Sequence, residues 1–127
     1  MKSLILISRI LLGLMFTVFG LNGFLHFIKL PPHTGLAGQF MDALVASKYL
    51  LAVFALEAVA GVLLLVNRFI PLALAVLAPV LVNVALYHFL IAPHGVGAAV
   101  VSIALWAVLA FRERAAWAAL WSPKGVS

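Results

Sequence analysis

Four long apolar runs separated by short polar turns dominate this sequence. They cover about residues 4–28, 49–66, 69–91 and 96–111. A bilayer core about 30 Å thick is crossed by about 20 helical residues. Hydrophobic residues make up 67% of the chain, more than a soluble domain of 127 residues hides from water. The pattern predicts an all-α protein in which one domain, 1–127, forms a four-helix transmembrane bundle.

The segment between the first two spans has a different pattern. Pro31 and Pro32 end the first span, because proline cannot continue the helical hydrogen bonding. Residues 36–47 then repeat apolar side chains at helical spacing, too briefly to cross a bilayer. We expect a short amphipathic helix at the membrane interface. In the third span, Pro79 leaves the carbonyl of Ala75 without its donor and predicts a kink.

The basic residues predict the orientation. The net charge is +5, and six of the eight basic residues lie on one side of the predicted spans: Lys2, Arg9, Arg68, Arg112, Arg114 and Lys124. The positive-inside rule therefore places both termini in the cytoplasm, with the long side chain of Arg9 reaching the headgroups. The apolar run after Lys2 is too long for a signal peptide, so we expect a retained span. No basic aromatic patch indicates nucleic-acid binding, and the absence of cysteine excludes disulfides and thiol chemistry.

Polar side chains inside the spans are the candidate functional residues, because burying them in hydrocarbon costs free energy. Counting along each helix places Asn22, Glu57 and Asn83 at similar heights in the outer half of the bilayer, with three further side chains above or beside them. These six predict an outward-facing polar pocket with a carboxyl group at its floor: Asn22, His26, Glu57, Asn83, Tyr87 and His88.

Two roles for Glu57 remain open from the residues alone. Desolvation favours its neutral form, so the side chain is a candidate proton carrier or a ligand for a polar headgroup. Alternatively, a neutral Glu57 hydrogen-bonds to Asn22 or Asn83 and only joins the helices. The histidines at the outer side (His26, His33, His88 and His94) lack the paired spacing of metal ligands, and we predict no metal site.

Small and aromatic residues also recur along the helices. Glycines and other small side chains at helical spacing predict close helix contacts: Gly13, Thr17, Gly20, Gly23, Gly61, Ala98 and Ser102. A set of phenylalanines is either packing or the lining of a quinone or lipid site: Phe16, Phe19, Phe24, Phe27 and Phe89.

Three stretches carry a family resemblance: R-I-L-L-G-L-M-F-T-V-F-G-L-N-G-F-L-H-F (Arg9 to Phe27), E-A-V-A-G-V-L-L-L (Glu57 to Leu65) and R-F-I-P-L-A-L-A-V-L-A-P-V-L-V-N-V-A-L-Y-H (Arg68 to His88). In their order and polar residues they resemble the DoxX family of small bacterial integral membrane proteins. The resemblance implies a four-helix membrane fold in the bacterial cytoplasmic (inner) membrane. That family is named for a subunit of a thiosulfate:quinone oxidoreductase.

Two functional hypotheses follow. The first is an accessory or assembly protein, without catalytic activity of its own, that binds a quinone, a lipid or a partner helix in the outward-facing pocket. The alternative is a membrane subunit of a quinone-linked oxidoreductase, in which Glu57 and His26 or His88 pass protons to the quinone. A quinone is the candidate cofactor, and the candidate partners besides the bilayer are a membrane protein or further copies of this chain. A small transporter is a third reading, but four helices without a repeat leave little room for alternating access.

Overall fold

The computed structural model describes residues 1–29 and 31–125, and all regular structure within them is helical. The helices are α1 Lys2–Leu25, α2 Gly35–Ala46, α3 Tyr49–Leu65, α4 Ile70–Leu86, a π-helical turn Tyr87–Ile91, α5 Val96–Arg112, α6 Arg114–Trp117 and a 3-10 turn Ala118–Trp121. The predicted second, third and fourth spans agree with these bounds to within two residues. The predicted short helix between the first two spans is α2.

The first span ends earlier than predicted. Helix α1 stops at Leu25, and His26 takes a left-handed conformation with φ 53°. The Asn22 side chain then binds the backbone of Ile28 through both of its polar atoms. Residues 26–28 are apolar enough to extend the helix, but this side-chain cap turns the chain away from the helix axis.

Four helices pack side by side in a ring, with α1 against α3, α3 against α4, α4 against α5, and α5 against α1. Five leucines fill its centre and are at most 2% exposed: Leu12, Leu64, Leu74, Leu77 and Leu109. Between the neighbouring helices α5 and α4, the indole Nε1 of Trp106 donates to the carbonyl oxygen of Leu74 at 2.9 Å. Helix α4 continues through Pro79, although this residue donates no hydrogen bond to the carbonyl of Ala75, and a π-helical turn follows at Tyr87.

Helices α1 and α3 approach most closely, and glycines permit the approach. A Cβ atom added to Gly20 would lie 2.5 Å from the backbone nitrogen of Ala58, and one added to Gly61 would lie 2.5 Å from that of Thr17. These distances are shorter than any van der Waals contact, so only hydrogen fits there. The predicted role of Gly20, Gly61 and Thr17 in close helix contact is confirmed.

The outer surface of the ring is apolar. Each long helix has some large apolar side chains that are at least 44% exposed, among them Leu14, Val62, Val82 and Val101. Two helices, Lys2–Leu25 and Ile70–Ile91, are each long and apolar enough to cross a membrane, with mean hydropathies of 2.3 and 2.2. Two bent pairs raise the number of candidate spans to four if each pair counts as one: α2 with α3, bent by 83°, and α5 with the tail 114–121, bent by 81°.

Arg9 contacts the end of a neighbouring helix, an interaction that the sequence did not predict. Its Nη1 donates to the carbonyl oxygens of Leu64 and Leu65, at 2.5 and 3.1 Å, and so caps the end of α3. Helix α3 has no basic residue in its own last turn. A cation at this position satisfies free carbonyl groups and the negative end of the helix dipole.

Candidate functional site

Tyr87 is the centre of a polar and aromatic cluster at one end of the ring. Its hydroxyl is hydrogen-bonded to Nδ1 of His33 at 3.1 Å. Its ring lies 5.6 Å from that of Phe40 and 5.1 Å from that of His88, measured between centroids. The cluster therefore joins three parts of the chain: the loop after α1, helix α2 and the end of α4.

A π-helical turn gives this cluster its shape. The backbone N–H of Ala92 donates to the carbonyl oxygen of Tyr87, five residues earlier, at 2.9 Å. Such turns widen a helix and often occur at functional sites. Within the turn, Nδ1 of His88 donates to the carbonyl oxygen of Ala92 at 3.1 Å. Gly95 follows with φ 86°, a conformation that residues with a side chain rarely adopt. A Cβ atom there would also lie 2.9 Å from the His88 ring, so both the backbone conformation and the available space favour glycine.

The two predicted pocket amides are engaged within their own segments. Asn22 is buried and binds Ile28, with the Ile28 N–H donating to Oδ1 at 2.7 Å. Asn83 is exposed, and its amide donates to the carbonyl oxygen of Pro79, one turn back, at 2.8 Å. His26 is exposed at the end of α1. None of these three side chains hydrogen-bonds to another residue of the predicted pocket within 1–29 and 31–125.

Glu57 is only 7% exposed and lies on the inner face of α3. The other buried residues of that helix are Ala60, Gly61 and Leu64, which share this face at helical spacing. Neither Asn22 nor Asn83 hydrogen-bonds to Glu57, and no other residue within 1–29 and 31–125 does so. The hydrogen bond that the sequence suggested between Glu57 and an amide is therefore not formed.

The sequence prediction did not assign His33 and Phe40 to the pocket. His33 was considered only as a metal ligand, and no group of three potential metal-binding side chains occurs in the described part of the chain. Phe40 was read as part of the apolar face of α2. The apolar face of α2 could have indicated this contact, because a short amphipathic helix beside the end of the bundle packs its apolar side chains against that end.

An apolar groove of 390 Å³ runs between α4 and α5, close in sequence to the cluster. Its walls are Ala78, Leu81, Val82, Ala85, Leu86, Phe89, Leu90, Ile103 and Trp106. Phe89 is the member of the predicted phenylalanine set that lines it. Phe89 and Leu90 belong to the π-helical turn that carries Tyr87 and His88. Residues 87–91 thus contribute both to the polar cluster and to the wall of the apolar groove.

No family model, curated protein or solved structure matches the chain.

Proposed function

We propose that this chain is a small integral membrane accessory or assembly protein that binds a lipid-soluble ligand, a quinone or a lipid, or a partner helix, at its outward-facing end. The supporting observation is the shared segment 87–91, which offers hydrogen-bonding groups and a wall of the apolar groove within one turn. An amphipathic ligand needs these two features together, because its head and tail differ in polarity.

Four crossings of the bilayer are part of this proposal. Helices α3 and α5 have 17 residues each, or about 26 Å at 1.5 Å per residue, within the range of short spans. In the ring each lies against α1 and α4, the two helices that are long enough alone. Neighbours packed side by side pass through the same layer, so α3 and α5 cross where α1 and α4 cross.

The proposed location is the bacterial cytoplasmic membrane, with both termini in the cytoplasm. Four of the six basic residues predicted on one side line a single cavity beside the start of α1 and the end of α5, and the positive-inside rule assigns that end of the ring to the cytoplasm. Tyr87 and its neighbours then face outward. The proposal includes the relationship to the DoxX family, which rests on the sequence stretches and the four-helix ring.

Tyr87→Phe is expected to reduce the amount of ligand that copurifies from mild detergent by about fivefold. It removes one hydroxyl, and a hydrogen bond to a bound ligand or to His33 contributes about 1 kcal/mol. Small-molecule and protein mass spectrometry of the purified sample measures the effect. Tyr49→Phe is the matched control, because the other tyrosine of the chain is 63% exposed and lies outside the cluster.

The groove offers an independent test of the same proposal. Ala85→Leu adds three carbon atoms to its wall and is expected to displace an acyl or isoprenoid tail, whereas Ala55→Leu, on the exposed face of α3, is not. Equal ligand content in wild type, Ala85→Leu and Tyr87→Phe would contradict ligand binding at segment 87–91.

A second candidate function is favoured by Glu57. A carboxyl group buried on the inner face without a hydrogen bond is costly to maintain, and proton transfer in a quinone-linked oxidoreductase gives it a use. Under this alternative, Glu57→Gln abolishes the quinone-dependent activity of the complex that copurifies with the chain while leaving the complex intact. Full activity in that variant contradicts the redox role.

A further inference from the structure

A basic cavity of 830 Å³ lies at the end of the ring opposite Tyr87, between the start of α1, the start of α4 and the end of α5. Its polar lining consists of Lys2, Arg9, Asn67, Arg112, Glu113 and Arg114. The remaining wall is apolar and includes Leu4 and Phe111, which are 49% and 63% exposed. The cavity is thus lined by cationic side chains and is continuous with the apolar outer surface of the ring.

The positive charge is concentrated inside this concavity. Four basic side chains against the single carboxylate of Glu113 leave three positive charges in excess. Arg9 is fixed in place because its Nη1 holds the carbonyl groups at the end of α3. Its other guanidinium N–H groups have no hydrogen-bond partner among residues 1–29 and 31–125 and remain available to a ligand.

The start of α4 adds to the attraction for an anion. Ile70, the first residue of α4, lines the cavity together with Asn67. The first turn of α4 contains no acidic residue that would neutralise the positive end of the helix dipole. Pro71 has no backbone N–H, so Ile70 and Leu72 supply the first N–H groups of α4, which have no partner within the helix and bind phosphate groups readily.

We propose that this cavity binds a phosphate group, carried either by an anionic lipid headgroup or by a soluble phosphate ester. Guanidinium groups match phosphate oxygens with paired N–H donors, and lysine adds a point charge. Basic pockets between membrane helices on the cytoplasmic side bind lipid phosphates in this way. The exposed apolar wall accommodates the first carbons of an acyl chain. This site is separate from the Tyr87 cluster, and the choice of a lipid headgroup rests on the membrane orientation proposed above.

The test compares two charge-matched double variants of the full chain. Lys2→Gln with Arg112→Gln removes two cations from the cavity, and Arg68→Gln with Lys124→Gln removes two from the same side outside it. Native mass spectrometry measures the binding of phosphatidylglycerol, phosphatidylcholine and inorganic phosphate. Each basic group beside an anionic lipid contributes about 1 kcal/mol, or roughly fivefold in affinity. We expect the cavity variant to bind phosphatidylglycerol about thirtyfold more weakly, and the control to change by less than about threefold.

The arms of the experiment also separate the two sources of phosphate. Binding of phosphatidylglycerol without inorganic phosphate supports a lipid headgroup, and binding of inorganic phosphate that is weakened in the cavity variant supports a soluble ester. Equal binding of phosphatidylglycerol and phosphatidylcholine, with no phosphate bound, overturns the proposal. An equal loss in both double variants overturns it as well, because the effect then reflects total charge and not this cavity.

Discussion

Gly20→Ala is expected to lower the free energy of unfolding by about 3 kcal/mol, at the upper end of the cost of overpacking a close contact. The added methyl group would lie 2.5 Å from the backbone nitrogen of Ala58 and 2.8 Å from the carbonyl oxygen of Phe54. Backbone atoms cannot rotate away as a side chain does, so α1 and α3 must separate. Unfolding in mixed detergent, followed by tryptophan fluorescence, measures the loss.

The same experiment has a matched control within the chain. Gly97 lies in α5, and a Cβ atom added there meets no atom within 4 Å. Gly97→Ala is expected to leave stability unchanged or to raise it by about 0.5–1 kcal/mol, because alanine restricts the unfolded chain. If both variants lose the same stability, the close contact between α1 and α3 is not the cause of the loss, because the propensity of alanine for helix favours both variants.

Glu57→Leu is expected to raise the free energy of unfolding by about 2 kcal/mol. Glu57 as a whole residue is 7% exposed and its side chain has no hydrogen-bond partner in residues 1–29 and 31–125, and burying such a polar group costs about 1–3 kcal/mol. Leucine has a similar volume and no polar atom, so this cost disappears. The same unfolding assay measures the change.

Two comparisons make this second prediction specific. Glu57→Gln keeps a buried polar group and is expected to stay within about 1 kcal/mol of the wild type. Asp42→Leu changes an exposed carboxylate of α2 and is expected to have no stabilising effect of this kind. A loss of stability in Glu57→Leu would show that the carboxyl group makes a favourable interaction. A gain in stability, together with a loss of function, would show that this residue is retained for activity.

The helices were predictable from the sequence because their signals are local. Hydropathy located the beginnings and ends of α3, of α4 together with its π-helical turn, and of α5 to within two residues, and helical spacing located α2. Glycine spacing predicted the contact of α1 with α3. Each of these features depends on residues that are close together in the chain, so the pattern contains the needed information.

The arrangement of the polar side chains was much less predictable, because it depends on conformations that no pattern encodes. The left-handed turn at His26 brings Ile28 back to Asn22 and removes that amide from the pocket. The positions of the other polar side chains depend on contacts between segments that are far apart in the sequence. His33 meets Tyr87 across 54 positions of the chain, and depth counting along separate helices does not contain such a pairing.

The long helices differ in their length and apolar character. Helix α1, and α4 together with its π-helical turn, are each long and apolar enough to cross a membrane alone. Helix α3 is strongly apolar but has only 17 residues, and it is bent sharply against α2. Arg9 binds carbonyl groups at its end.

The contact of Arg9 with the end of α3 also bears on how the protein is made. Arg9 precedes Leu64 by 55 positions, so it has already left the ribosome when the second long helix is being synthesised. The charged group that binds the end of α3 is therefore already synthesised before that helix is complete. The contact of α1 with α3 involves no residue of α4 or α5, so under the proposed four crossings we expect this pair to dock first.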